Sequence, residues 1–376
     1  MKKLLAMVLA LVMTLSLAVS ANAAFKDADK VSADYSEAVA VLNGMGVFKG
    51  YEDGSFQPQG DITRAEVAAI VYRVYTADVK DAKASLYATY NKFSDMNGAG
   101  WASGYIGYCA NAALVKGYPN GTFQPSGKVT GYEVLAMILR AIGYDQNNEF
   151  TGPDWALHVA QTAQQAKILA NVKGVDLNAP ATRELVAELL FRAIADAPMV
   201  TYTAAFGYQT VSFSGSKADS KLFKDNETLG HQNFKLTPKD DSDDWGRPAT
   251  TWEYNVGDKS TTVVDKPDAS FNVATTECDI CAALGVKKSA DVVEIYTNGV
   301  KKGTDTLTAT ETKAKLGAQG RQIEFYENKD GDYRMVVIDT YLAYVNEVVE
   351  KKVDSKDHTT RDAYLALDVY KTDDGK

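Results

Sequence analysis

Arg64 stands at the start of an apolar helical run, directly after Thr63 and two residues before Glu66. Thr63 and Glu66 have capping-box spacing: the threonine hydroxyl accepts the amide three residues on, and the glutamate reaches back to the threonine amide. An arginine in that first turn opposes the positive end of the helix macrodipole and costs roughly a few tenths of a kcal/mol. An anionic ligand would offset this, drawing on a guanidinium that forks onto a carboxylate and on the unpaired amides of the first turn. The competing reading is that Arg64 pairs with a carboxylate such as Asp61 or stays hydrated. The pattern recurs with variations. Thr130 and Glu133 repeat the box around Gly131, and Thr182 and Arg183 repeat the arginine with Leu185 in the glutamate's place.

Other residue sets suggest less. Cys278-Asp279-Ile280-Cys281 has redox-motif spacing but no preceding strand with a tryptophan, and no histidine nearby to complete a zinc set. Unreactive thiols are therefore the expectation there, and Cys109, four residues after Tyr105, reads as a core residue. The run Asp240-Asp241-Ser242-Asp243-Asp244 offers oxygens to a hard cation without the spacing of a calcium loop, so a solvated turn is expected. Glu324 and Asp339 are scattered carboxylates that no spacing marks as a glycosidase pair. No catalytic residue, metal or cofactor is assigned.

The elements that must carry Arg64 and Arg183 are repeated. Phe25-Lys26-Asp27, Lys49 to Pro58 and Thr63 to Arg73 recur as Phe93-Ser94-Asp95, Lys116 to Pro125 and Thr130 to Arg140. From the loop glycine to the threonine is 13 residues in both copies (Gly50 to Thr63, Gly117 to Thr130), and from that threonine to the closing arginine is 10. A third copy keeps the 10 residues from Thr182 to Arg192, but Gly174 precedes Thr182 by only 8, so its loop is five residues shorter. Each unit reads as helix, turn-rich loop, helix. Val39, Leu42 and Met45 share a helical face, as do Val67, Ile70, Val71 and Val74. Asp53-Gly54 and Asn120-Gly121 are turns, and Phe56 and Phe123 return each loop to the core. Helices this short cannot bury their faces alone, so the units are expected to pack on one another.

The Phe-x-Asp opening, the Gly-Tyr-x-Asp-Gly-x-Phe-x-Pro loop and the Thr-Arg-Ala-Glu helix start resemble the S-layer homology repeat family over residues 25 to about 197. The resemblance implies an all-α, three-repeat, pseudo-threefold bundle; with the β-rich region that follows it, the expected fold is multidomain. It implies inter-repeat grooves that bind anionic, often pyruvylated, secondary cell-wall polysaccharide without catalysis. Carried over by position, the family's binding arginine corresponds to Arg64 and Arg183, whereas Gly131 leaves the second repeat without one. Lys49, Lys116 and Lys173 precede the loop glycine, and Trp101 and Trp155 match the family's aromatic near the first helix, with Tyr35 in that place in the first repeat. Sugar platform and core residue remain alternatives for these aromatics.

The remaining regions frame this unit. Lys2 and Lys3, the apolar stretch from Leu4 to Val19 and Ala21-Asn22-Ala23 read as a signal peptide over residues 1–23. Its removal takes the formal charge from −9 to −11, which argues against nucleic acid or anionic membrane as partners. The expected domains are repeats at 24–77, 92–145 and 150–197, a linker over 198–220, a β-rich domain over 221–350 with one helix near Ile280 to Leu284, and a further β segment over 351–376 that reads as truncated. Val293 to Lys301 around Asn298-Gly299 and Ile323 to Ile338 around Asn328 to Gly331 are hairpin signals. The leading expectation is a secreted structural surface protein, possible member of a surface lattice, anchored to the wall by its repeats. The rivals are a wall-anchored polysaccharide hydrolase and an outer-membrane protein tethered through a single repeat. The three copies and the lack of evenly spaced lipid-facing strands disfavour the last.

Overall fold

The computed structural model describes residues 25–90, 92–212, 226–272, 284, 292–301, 320–349, 352–353, 360–361 and 364–371. The expected signal peptide and the Cys278/Cys281 pair lie outside these residues. Helices predominate in the N-terminal region and sheets in the C-terminal region, consistent with a multidomain chain. The helices are α1 (Ser36–Gly44), α2 (Arg64–Thr76), α3 (Ser103–Asn111), α4 (Gly131–Ala141), α5 (Trp155–Gln165), α6 (Arg183–Ala195) and α7 (Leu229–Phe234). Among the described residues no helix is long and apolar enough to cross a membrane.

The repeated sequence blocks do repeated structural work. Thr63 and Thr130 form complete capping boxes with Glu66 and Glu133, and Thr182 accepts from the Leu185 amide without the reciprocal carboxylate. The Phe-x-Asp aspartates clamp the loops. Asp27 accepts from the Phe56 and Gln57 amides at 2.7 and 2.8 Å, and Asp95 from Phe123 and Gln124 at 2.8 and 2.7 Å. Phe25 stacks on Phe56 and Phe93 on Phe123, with ring centroids 4.9 and 5.2 Å apart. Burial works to raise both aspartate pKa values, yet the paired amides outweigh it and hold them below the ordinary range.

Three segments before α2, α4 and α6 close a ring. The Ile62 amide donates to the Ala181 carbonyl at 3.1 Å, Ala181 to Val129 at 2.8 Å, and Val129 to Ile62 at 3.2 Å. Val67, Val71, Leu135, Ile138, Leu189 and Phe191 are buried in one apolar cluster around them.

The stretch expected as a linker has structure where it is described. Strands β1 (Val200–Thr203) and β2 (Gly207–Thr210) form an antiparallel hairpin. The Val200 amide donates to the Ile142 carbonyl at the end of α4, and the Tyr208 hydroxyl donates to Glu149 at 2.7 Å. Farther on, α7 and residues 250–263 strap onto the helices. Asn233 donates to the Val74 and Tyr75 carbonyls at 2.9 and 3.0 Å, satisfying acceptors at the end of α2. Trp252 is 2 % exposed, meets Phe191 edge to face at 5.0 Å, and donates its indole N–H to Glu37 at 2.9 Å. The Asp258 amide bonds the Gly44 carbonyl at the end of α1.

The chain thus divides into two compact units at places other than residue 221: residues up to Asp240 with Thr250–Val263 form one, and Asp241–Ala249 with the residues from Val264 form the other. Strands β3 (Thr237–Ser242), β4 (Pro248–Glu253) and β5 (Ser260–Val264) make a three-stranded sheet. The second unit contains a five-stranded sheet in the order β6 (Ala269–Phe271), β9 (Arg321–Glu327), β10 (Tyr333–Asp339), β7 (Val292–Thr297), β8 (Val300–Lys301). Strand β10 runs antiparallel to β9 and parallel to β7. The β7–β8 turn places Asn298 and Gly299 at φ 49° and 80°, the left-handed pair that an Asn-Gly hairpin uses. Strands β11 (Tyr341–Val349) and β14 (Tyr364–Lys371) pair antiparallel, and β12 (Lys352–Val353) pairs with β13 (Thr360–Arg361). Among the described residues, strands from either side of residue 350 thus pair with each other.

Because Trp252 seals the helical unit from outside residues 25–197, Trp252→Ala should destabilise that unit by about 3 to 5 kcal/mol. Urea unfolding followed by far-ultraviolet circular dichroism measures this. A loss under about 1 kcal/mol would mean that the strap adds nothing to the helical core.

Candidate functional site

Arg64 does not face solvent. It is 3 % exposed, and its guanidinium donates through Nε to the Phe123 carbonyl at 2.8 Å, through Nη1 to Glu133 at 2.9 Å and through Nη2 to the Lys116 carbonyl at 3.1 Å. The guanidinium also lies 4.6 Å from the Tyr118 ring centre and 4.7 Å from that of Phe123. Arg183 repeats this one unit round: Nε to the Phe56 carbonyl at 2.7 Å, Nη2 to the Lys49 carbonyl at 2.9 Å, and Tyr51 and Phe56 rings at 4.6 and 5.0 Å. Asp61, the partner considered for Arg64, instead takes Lys128.

The first-turn amides are equally committed. Arg64 and Ala65 donate to the Gly127 and Pro125 carbonyls at 2.9 and 3.0 Å, and Arg183 and Glu184 donate to Gly60 and Pro58 at 2.9 and 3.1 Å. With Glu66 N bonded to Thr63 and Thr63 N to Glu66, the start of α2 has no free donor to offer an anion. The expectation that these amides receive a ligand fails for that reason. Each helix start is completed by a neighbouring loop.

Lys49, Arg183 and Trp101 do meet, in a cleft of about 160 Å³ whose walls also include Tyr51, Glu66 and Arg73. Trp101 is 63 % exposed and meets Tyr105 with ring centroids 5.8 Å apart. Asp81 organises the cations: it accepts from Arg73 Nε and Nη2 at 2.8 and 3.0 Å and from Lys49 Nζ at 2.5 Å. Burial pushes the Asp81 pKa up, but those two cations hold it below the ordinary value. Burial lowers the Arg183 pKa and raises that of Tyr51. Lys49, Arg73 and Arg183 face Glu66 and Asp81, so the lining carries excess positive charge. The sequence did not single out Asp81; its only local signal was a carboxylate shortly after the closing arginine.

Residues 24–68 and 92–135 match the S-layer homology domain. The chain is 30% identical over 198 residues to a middle cell wall protein of Brevibacillus brevis, which covers 52% of this chain and 18% of that protein. It is 28% identical over 242 residues to a surface layer protein of Brevibacillus choshinensis (64% of this chain, 20% of that one). A cellulosome-anchoring protein of Acetivibrio thermocellus is 36% identical over 92 residues (24% and 20%). The chain spans about a fifth of the length of these relatives.

The second matching segment places its residues differently. Lys116 donates to Asp145 at 2.8 Å and to Asn148 at 2.9 Å, and Arg140 donates to the same Asp145 at 2.7 Å. Burial and a bond to Glu133 push the Tyr118 hydroxyl up to about 12. Trp155 is half-buried against the apolar cluster, so for this aromatic the structure favours packing. Around the third copy, Gly131 lies against Leu177: a side chain at 131 would begin 2.7 Å from Leu177 Cδ2 and 3.1 Å from its Cα. Lys173 is exposed, outside the cleft.

In the second unit the two scattered carboxylates are held apart by their own partners. Glu324 accepts from Arg247 at 2.7 Å, and Asp339 from Arg321 at 2.6 Å. Asp243 of the acidic run accepts from the Trp245 and Arg247 amides, both at 2.9 Å. Cys109 is fully buried, its thiol directed to the Ala68 carbonyl at 3.4 Å.

Arg64→Ala would leave the Phe123 and Lys116 carbonyls without their donor and take from Glu133 its cation, leaving it only Tyr118 and Thr130. It should cost about 3 to 5 kcal/mol in chemical denaturation, and Arg64→Lys should recover less than half, because one ammonium cannot span three acceptors. Wild-type stability in Arg64→Ala would show the guanidinium to be idle in the fold.

Proposed function

We propose that residues 25–197 form a three-repeat, pseudo-threefold bundle that anchors a secreted surface protein to the cell wall by binding anionic secondary cell-wall polysaccharide. What supports the reading is the cleft: an exposed tryptophan beside three cations, next to loops that match the S-layer homology domain. A carboxylate on the polymer, such as that of a pyruvyl ketal, would meet the Lys49 ammonium, whose side chain is 46% exposed. Arg73 and Arg183 supply fixed positive potential from behind, and Trp101 offers an apolar face to a pyranose ring. Arg64 serves the same reading indirectly, by holding the second loop.

The rest of the proposal concerns the whole protein. Relatives called surface layer and cell wall proteins favour a structural role in a surface lattice, and a role without catalysis. An expected signal peptide over residues 1–23 accords with export. The engagement of Glu324 by Arg247 and of Asp339 by Arg321 favours the structural role over a hydrolase.

Lys49→Ala should weaken binding to soluble wall polymer about 10- to 150-fold, the worth of one charge-assisted hydrogen bond of about 1.5 to 3 kcal/mol, while leaving the melting temperature within a degree or two. Trp101→Ala should weaken binding with little dependence on salt, whereas the Lys49 effect should shrink as salt rises. Isothermal titration of the full chain against polymer released from host walls gives both numbers. If both variants bind like wild type, the cleft is not the site. If wild type also pellets with walls stripped of secondary polymer, the ligand is peptidoglycan.

A further inference from the structure

The position of Ala69 in the first segment and Ala136 in the second is taken in the third by Glu188, four residues before Arg192. Glu188 is 0 % exposed. Its Oε1 accepts from Arg192 Nε at 2.8 Å and Asn171 Nδ2 at 3.0 Å, and its Oε2 has no hydrogen-bond partner. Arg192 is shared further, through Nη1 with Asp196 at 3.0 Å and through Nη2 with Glu37 at 2.6 Å. One guanidinium therefore serves three carboxylates, where the corresponding Arg73 and Arg140 each share one aspartate with a lysine. The other groups near Glu188 do not restore the balance. Tyr35 precedes α1, Glu184 is held by Ser32 and Gln59, and the strap brings only the neutral Trp252 indole, since its Glu253 turns to Lys239.

The strap is wired to this cluster through Glu37, which gives Oε2 to Arg192 and Oε1 to the Trp252 indole. We propose that the cluster is a proton switch on the strap: Glu188 takes up a proton as the strap docks, so that mild acid closes the strap onto α1 and α6 and higher pH loosens it. Removing the Glu188 charge leaves Arg192 to Glu37 and Asp196, relieves the repulsion between Glu188 and Glu37, and steadies the acceptor of Trp252. Burial is the main force raising the Glu188 pKa above its ordinary 4.5, against the pull of Arg192 and Asn171. Burial raises Asp196 in the same sense. A carboxyl raised in the docked state adds stability that is complete below 4.5 and is lost as pH rises through the docked value. The clamping aspartates Asp27, Asp81, Asp95 and Asp145 shift the other way, so their contributions change only below 3.8.

Hydrogen exchange of the full chain between pH 5 and 8, read on peptides covering residues 250–256 and corrected for intrinsic exchange, tests this. Protection should rise as pH falls, by up to about tenfold per pH unit where Glu188 titrates. Glu188→Gln should be better protected than wild type at the upper end of that range and should show a shallower pH dependence, the remainder belonging to Asp196. The same pH dependence in Glu188→Gln as in wild type, or protection that falls with acid, overturns the proposal. Should that variant not fold, the carboxyl carbon resonance of Glu188 in the wild-type chain decides: a midpoint above 4.5 is expected, and one at or below it overturns the switch.

Discussion

A helix start cannot leave its amides unpaired in a protein interior, and here that requirement is met across segments rather than within them. The carbonyls of Gly127 and Pro125 complete α2, and those of Gly60 and Pro58 complete α6. Arg64 and Arg183 then reach further along the same loops and take the Phe123, Lys116, Phe56 and Lys49 carbonyls. A loop that lacks regular structure thereby acquires partners for its backbone, and a helix acquires a cap. Neither is stable alone, so the segments must fold together. The ring of hydrogen bonds among Ile62, Val129 and Ala181 closes the cycle at its centre.

The exception follows from the same constraint. The third loop is five residues shorter, so it has no span of carbonyls in which a guanidinium could be received, and the residue that would send one is Gly131. Leu177 fills the space instead, with its carbonyl accepting from the Tyr132 amide at 3.1 Å. Shortened loop and missing arginine are one change seen from two sides. The charge pattern of that segment departs as well, with Glu188 on the face where the others carry alanine.

How much of this could be read beforehand depended on distance along the chain. Capping boxes, the Asn-Gly turn of β7–β8 and the helical faces are set by residues within four positions of each other, and periodicity exposed them. The partner of Arg64 is Glu133, 69 residues away, and that of Arg183 is Lys49, 134 residues away. Nothing local distinguishes an arginine waiting for a ligand from one waiting for a distant loop. The cation that opposes the macrodipole at Arg64 is offset by the carboxylate of Glu133. Trp252 was hidden for the same reason: its neighbours have the texture of strands, while the surface it seals belongs to α1 and α6.

Lys49 shows how a structural loop can also bind. Its carbonyl is taken by Arg183, which fixes the backbone, while its ammonium is free to leave the fold's interior and sits beside Asp81 at the cleft edge. The two ends of one residue therefore serve different purposes, and the backbone bond survives any change of side chain. Lys116 has the same backbone bond, to Arg64, but its ammonium is drawn onto both Asp145 and Asn148. A ligand there would have to displace two acceptors rather than one. Asp145 is also more deeply buried than Asp81, with 1% against 19% of its side chain exposed, so it competes more strongly for that ammonium. Equal loops thus yield unequal sites, because the residues that follow α2 and α4 differ in how completely they claim the lysine.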